Sequence, residues 1–273
     1  LEMPGKATPR IIPMTYVAGF LYFLLAVSTI SLTSNGKDIA AVWPANAVLV
    51  ALMIQTQRRA WPAILVAGIL ANVAANMVTR GSASGPFLFG IANMVEVFIA
   101  AWGIYGTASD GGIMRRTDSM SRFLLWAGFL APGCSSVLGA GTAWYAFDQP
   151  FRVSMETWYF SDALGLVVFT PFFVALFHGD FTRCFRGKSL NGRVEAVLLQ
   201  GLVLATAIFV FVNSHLPILF LVPLPVMLVT FRLGWLGAKV SVMIVAVVVA
   251  VATANGVGPI MLADLDALQR AFF

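Results

Sequence analysis

Residues Pro86–Tyr105 read PFLFGIANMVEVFIAAWGIY, twenty residues with one amide, Asn93, and one acid, Glu96, in an otherwise apolar run. Twenty such residues match the length that a helix needs to cross a bilayer core of about 30 Å. An acid near the centre of such a segment costs at least ~2.5–3.5 kcal/mol, so it belongs to a partner or a polar site. Asn93 and Glu96 stand three residues apart and share a helix face. This stretch therefore predicts both a membrane span and a reason for it to face inward.

Working outward, similar runs fill the chain. Of its 273 residues, 59% are hydrophobic and 11% charged, and the mean hydropathy is +0.88. A soluble domain carries about 25% charged residues, so a polytopic, all-α integral membrane bundle of about eight to nine transmembrane helices is expected. The candidate spans are Ile11–Ser31, Ile39–Ile54, Trp61–Val78, Pro86–Tyr105, Phe123–Ala146, Thr157–Phe177, Val197–Val212, Leu216–Phe231 and Leu236–Ala252. The eighth is short and broken by Pro217, Pro223 and Pro225, which suits a kinked or re-entrant segment. With the N-terminus cytoplasmic, only Lys37, Arg80, Arg152 and Arg270 of the 17 basic residues fall outside. That asymmetry is the positive-inside pattern and predicts an inner-membrane, multi-pass location.

The ends divide the chain further. Residues 1–10 are expected to be a tag remnant (Leu1-Glu2 before Met3) and a cytoplasmic tail, and 11–259 the membrane domain. Residues 260–273 are expected to be an outer loop and the start of a further span, with Ala271-Phe272-Phe273 as its first residues. The net charge of +5 reflects loop arginines at a membrane surface, since no basic patch is interleaved with exposed aromatics, and nucleic acid is not an expected partner. The two cysteines, Cys134 in a span and Cys184 in an inner loop, are kept apart by the topology.

A second acid, Asp162, lies in the outer third of the sixth predicted span, just after Trp158 and Tyr159. Asn72 and Asn76 fall in the outer half of the third span, Trp43-Pro44-Ala45-Asn46 opens the second, and Ser135 lies within the fifth. Depth alone brings these features to one layer between mid-membrane and the outer face. Trp43, Asn46, Asn72, Asn93, Glu96, Ser135, Trp158, Tyr159 and Asp162 are the candidate ligand-binding residues. Carboxylates, amides and hydroxyls with aromatic walls suit a cation, an amine or a hydroxylated small molecule. Asparagines and small residues also serve as plain helix-packing groups in membranes. His178 and His215 lie at opposite ends of adjacent spans, so no haem, metal or other cofactor is expected. No phosphate loop, nucleophile elbow, zinc-protease or kinase motif is present, so no catalytic residue is assigned.

These landmarks, taken in order, resemble the membrane-associated sensor family of the first type (MASE). The resemblance is carried by Tyr22-Phe23-Leu24-Leu25-Ala26, Val42-Trp43-Pro44-Ala45-Asn46-Ala47, Arg59-Ala60-Trp61-Pro62, Leu70-Ala71-Asn72 and Ile91-Ala92-Asn93-Met94-Val95-Glu96. It continues through Leu130-Ala131-Pro132, Trp158-Tyr159-Phe160-Ser161-Asp162-Ala163-Leu164-Gly165, Pro223-Leu224-Pro225, Phe231-Arg232-Leu233-Gly234 and Gly256-Val257-Gly258-Pro259. It implies a sensory input domain of a bacterial histidine kinase, diguanylate cyclase or phosphodiesterase, coupled to a cytoplasmic output domain, and not itself an enzyme. The expected partners are membrane lipid, an unidentified small-molecule ligand, that output domain and a second copy in a homodimer. The residues alone leave other uses open: a small-molecule transporter, a lipid-active membrane enzyme, or an anchor that only localises and dimerises its output.

Overall fold

The computed structural model describes residues 11–33, 42–81, 84–106, 117–212 and 218–258. The expected tail, the 260–273 loop and final span, Lys37, Arg115, Arg116 and His215 lie outside the described residues. All regular structure among the described residues is helical. Helix α1 spans Ile11–Thr33, α2 Ala45–Met53, α3 Trp61–Arg80, α4 Ser84–Ile104, α5 Thr117–Phe123, α6 Ala131–Phe147, α7 Phe151–Phe177, α8 Asp180–Arg186, α9 Leu190–Val212 and α10 Pro223–Ala254. Among the described residues, seven segments are long and apolar enough to cross a membrane. The chain is a polytopic helical membrane domain.

Three expected spans take a different form. The second is not one long helix. Regular helix begins only at Ala45 and ends at Met53, and nine residues reach about 14 Å, half of a bilayer core. Val42–Pro44 ahead of it is non-helical, and Trp43 N donates to the Ser161 carbonyl of α7 at 3.1 Å. Such backbone is tolerated at membrane depth only when protein covers it. Here the cover is complete: every residue of α2 is buried, enclosed by α1, α4 and α7. Gly165 of α7 permits the approach, because a Cβ there would strike the Trp43 carbonyl, which is backbone and cannot swing away.

The fifth span is continuous from Thr117 to Phe147 but widens into a π-helix over Leu124–Leu130. Pro132 is the cause, since it lacks an N–H and displaces the carbonyl four residues earlier. That carbonyl belongs to Gly128, and it accepts the Tyr159 hydroxyl of α7 at 3.2 Å.

The eighth and ninth expected spans form α10, whose backbone breaks at Gly234 (φ 69°, ψ −160°), a conformation open essentially only to glycine. The break is a reversal. Val210 and Phe211 at the end of α9 pack in one cluster with both Leu221–Val222 and Val248–Ala252. In a straight helix Val222 and Val249 would be about 40 Å apart. The middle of α10 meets the other end of α9: Arg232 bonds Glu195 at 2.7 Å, and Gln200 donates to the Gly237 carbonyl at 2.9 Å. Residues 223–233 and 235–254 are therefore the two arms of a helical hairpin, both lying against α9.

Candidate functional site

The centre of the molecule is a polar layer built around Asn46, the second residue of α2. Because Pro44 delays the helix, the first turn of α2 sits deep in the bundle, and Asn46 reaches two other helices, α1 and α4. Its Oδ1 accepts from Tyr22 Oη of α1 at 3.2 Å and from Trp43 Nε1 at 3.2 Å. Its Nδ2 donates to Asn93 Oδ1 at 2.9 Å and to Glu96 Oε2, both on α4. An amide has two donors and two acceptor sites, so this one is fully used. Asn72 of α3 extends the layer, donating to the Pro86 carbonyl at 2.9 Å and receiving Tyr22 Oη at 3.3 Å and Asn93 Nδ2 at 3.5 Å. Asn76, one turn on, donates only to the Asn72 carbonyl of its own helix at 2.9 Å.

The second acid completes the layer. The α7 helix opens at Phe151, nearly two turns before the expected start, which moves Asp162 from the outer third of a span toward its middle. There its side-chain neighbours are Glu96, Trp158 of its own helix and Ser135 of α6. Ser135 is fully buried and bonds the Pro132 carbonyl at 3.2 Å. Gly139 leaves room for Trp158, whose indole occupies the place a Cβ would take.

Glu96 and Asp162 are 0% and 3% exposed. Among the described residues, no ion pair reaches either acid. Glu96 Oε1, Asp162 Oδ2, Trp158 Nε1 and the Ser161 and Thr170 hydroxyls are buried without hydrogen-bond partners. Most buried polar groups in proteins are satisfied, so Glu96, Trp158, Ser161 and Asp162 stand out within the layer. Two carboxyls in contact in a dry interior hold a proton between them or flank a cation, because bare like charges there repel too strongly. No group of three His, Cys, Asp or Glu residues able to hold a metal occurs among the described residues.

Eight of the nine predicted residues meet here: Trp43, Asn46, Asn72, Asn93, Glu96, Ser135, Trp158 and Asp162. Tyr159 does not, because its hydroxyl serves the Gly128 carbonyl on another face of α7. The members of the layer bond one another. Two cavities, of about 650 Å³ and 500 Å³, lie along α9 and α10. The sequence reading missed Tyr22 as a site residue. Tyr22 is fully buried at mid-helix, and no sequence signal sets it apart from the other aromatic residues of α1.

No curated protein and no solved structure matches the chain. The sequence profile of MASE1, membrane-associated sensor domain 1, matches residues 14–273, nearly the whole length. With its buried helical polar layer and multi-pass architecture, the chain belongs to the MASE1 family of membrane sensor domains of bacterial signalling proteins.

Proposed function

We propose that the domain senses a proton, a small cation or a compact hydrogen-bond donor held between Glu96 and Asp162, and relays its presence to a cytoplasmic output domain across the inner membrane. The observation that carries this reading is the pair of facing carboxyls, each with an unpartnered oxygen and no basic residue beside it. A proton shared by the pair, or a cation that parts it, satisfies carboxyl oxygens that no basic residue reaches.

The responding element is α2. It is a half-helix, bonded to α4 through Asn46 and to α7 through the Trp43 backbone. Its far end is tied to the basic face: Trp61 Nε1 donates to the Met53 carbonyl at 2.9 Å, and Arg58 lies 4.7 Å over the Tyr105 ring. Binding at Glu96 and Asp162 changes what Asn46 must satisfy, and α2 carries that change to the cytoplasmic end of α3 and α4. The ligand must bind one packing more tightly than the other for this to shift a population.

Native mass spectrometry of the purified domain tests the site, with wild type beside Glu96→Gln and Asp162→Asn. A defined small-molecule adduct, or a thermal stability that depends on pH or on Na⁺ or K⁺, should be present in wild type and lost in both variants. Variants that keep the same adducts and the same dependence would sink the reading.

A further inference from the structure

A second site lies far from the polar layer, at the basic end of α9 and the α10 hairpin. A cavity of about 650 Å³ opens there, within the usual range of about 300–1,000 Å³ for ligand pockets. Its walls are Phe181 of α8, Ala196 and Val197 of α9, and Leu236 and Val240 of the second α10 arm. Of its uncharged polar side chains, Thr182 lies on α8, and Gln200 on α9 is already spent on the Gly237 carbonyl and on the Ser241 hydroxyl at 3.1 Å. The interior of the cavity therefore suits a hydrocarbon chain.

Its rim is different. Arg186, the last residue of α8, and Lys188, on the short loop to α9, border the cavity. Two neighbouring cations have acidic partners, Arg183 with Asp180 at 2.7 Å and Arg232 with Glu195. No ion pair among the described residues involves Arg186 or Lys188. Arg193 fastens the loop beneath them, donating to the carbonyls of Phe185 at 3.0 Å, Lys188 at 3.2 Å and Arg186 at 3.4 Å. Two unneutralised cations are thus held at the mouth of an apolar cavity, on the face that the charge asymmetry assigns to the cytoplasm.

We propose that this cavity binds an anionic phospholipid of the cytoplasmic leaflet, with its phosphate on Arg186 and Lys188 and an acyl chain between α9 and the α10 hairpin. Basic pockets between helices on this side of a membrane recognise such headgroups. The apolar depth favours a lipid over free phosphate. Because the cavity is walled by Leu233, Leu236 and Gly237 around the Gly234 reversal, lipid occupancy braces the turn of the hairpin.

The test is lipid retention by the purified domain, counted by native mass spectrometry after exchange into mixed phosphatidylglycerol and phosphatidylcholine. Wild type should keep one phosphatidylglycerol per chain with at least about tenfold preference, as expected for two basic contacts. Arg186→Gln with Lys188→Gln should abolish the preference, whereas Arg59→Gln, a basic residue on the same face away from the cavity, should keep it. Val197→Trp, which fills the cavity from a lipid-facing position, should reduce retention of both lipids. Alkylation of Cys184, which lines the cavity, should slow in phosphatidylglycerol nanodiscs relative to phosphatidylcholine. Equal retention of the two lipids, an unchanged preference in the double variant, or displacement of the lipid by inorganic phosphate would overturn the proposal. Protection of Cys184 regardless of lipid charge would overturn it too, pointing to a protein partner on this face.

Discussion

The helices that carry an acid near mid-span are the buried ones, and the most uniformly apolar helices are the exposed ones. In the spans of α4 and α7, which hold Glu96 and Asp162, 56% of residues are buried; in α9 and α10 the share is 22%. A soluble protein would reverse this order. In a bilayer, lipid tails solvate leucine as well as a protein core does, so apolar surface does not drive helices together. Packing and polar bonds choose the inside. The α1–α7 body is accordingly organised around Asn46, whereas α9 and the α10 hairpin share a small cluster of Val210, Phe211 and Ala252.

That contrast can be broken at a single glycine. Gly165→Val drives a side chain into the Trp43 carbonyl and should prevent the folded body from forming or destabilise it by about 3 kcal/mol, the upper range for overpacking. Gly201→Val in α9 meets no atom within 4 Å and should change thermal stability in detergent little. Equal effects of the two would end the distinction between body and hairpin.

Asn46→Leu should have the next largest effect. It strands the Glu96 carboxyl, the Asn93 carbonyl and the Trp43 indole together, at about 2–4 kcal/mol for several orphaned groups, offset because membrane hydrogen bonds average only ~0.6 kcal/mol. The matching change in the hairpin, Gln200→Leu, frees only the Gly237 carbonyl and Ser241 and should cost about 1 kcal/mol or less. Unfolding in graded SDS compares the two directly.

Removing charge sharpens the comparison by separating stability from function. Glu96→Gln keeps the shape and the bond to Asn46, so stability should change by less than about 1 kcal/mol while any ligand or pH response of the full-length protein disappears. Glu195→Gln in α9 removes only the pairing with Arg232, a half-exposed contact of about 0–1 kcal/mol, and should leave the response intact.

The smallest effect belongs to Asp180 on the basic face. Partial burial pushes its carboxyl up, but hydrogen bonds from Arg183 and His178 outweigh that and hold it below the usual carboxylate range. A depressed folded value means stability that is present above the unfolded range near about pH 4 and lost as pH falls through the lower folded value. Asp180→Asn should remove that small acid-side dependence in thermal melts and leave the polar layer untouched.

Much of the site was legible from residue type and depth. Asn93, Glu96 and Asp162 stand out because polar groups inside apolar runs are costly, and cost implies partners. The grouping of Trp158 with Tyr159 failed because adjacent helical residues point about 100° apart. The i, i+3, i+4, i+7 stripe of Trp158, Ser161, Asp162 and Gly165 holds the face that packs inward, and Tyr159 lies off it. Tyr22 escaped notice because tyrosine in a membrane helix reads as one more aromatic; only the convergence of α1, α2 and α3 gives its hydroxyl two amide neighbours.

By itself the sequence determined that this chain is a helical membrane protein and which acids need company. Those follow from transfer energies and charge placement, properties that each residue carries wherever it packs. Only the tertiary structure decided that the second span is a buried half-helix, that Tyr159 repairs the backbone displaced by Pro132, and that α10 doubles back at Gly234. These depend on which surfaces meet, and a bare carbonyl or an amide with four possible bonds has no preferred partner until neighbouring helices supply one.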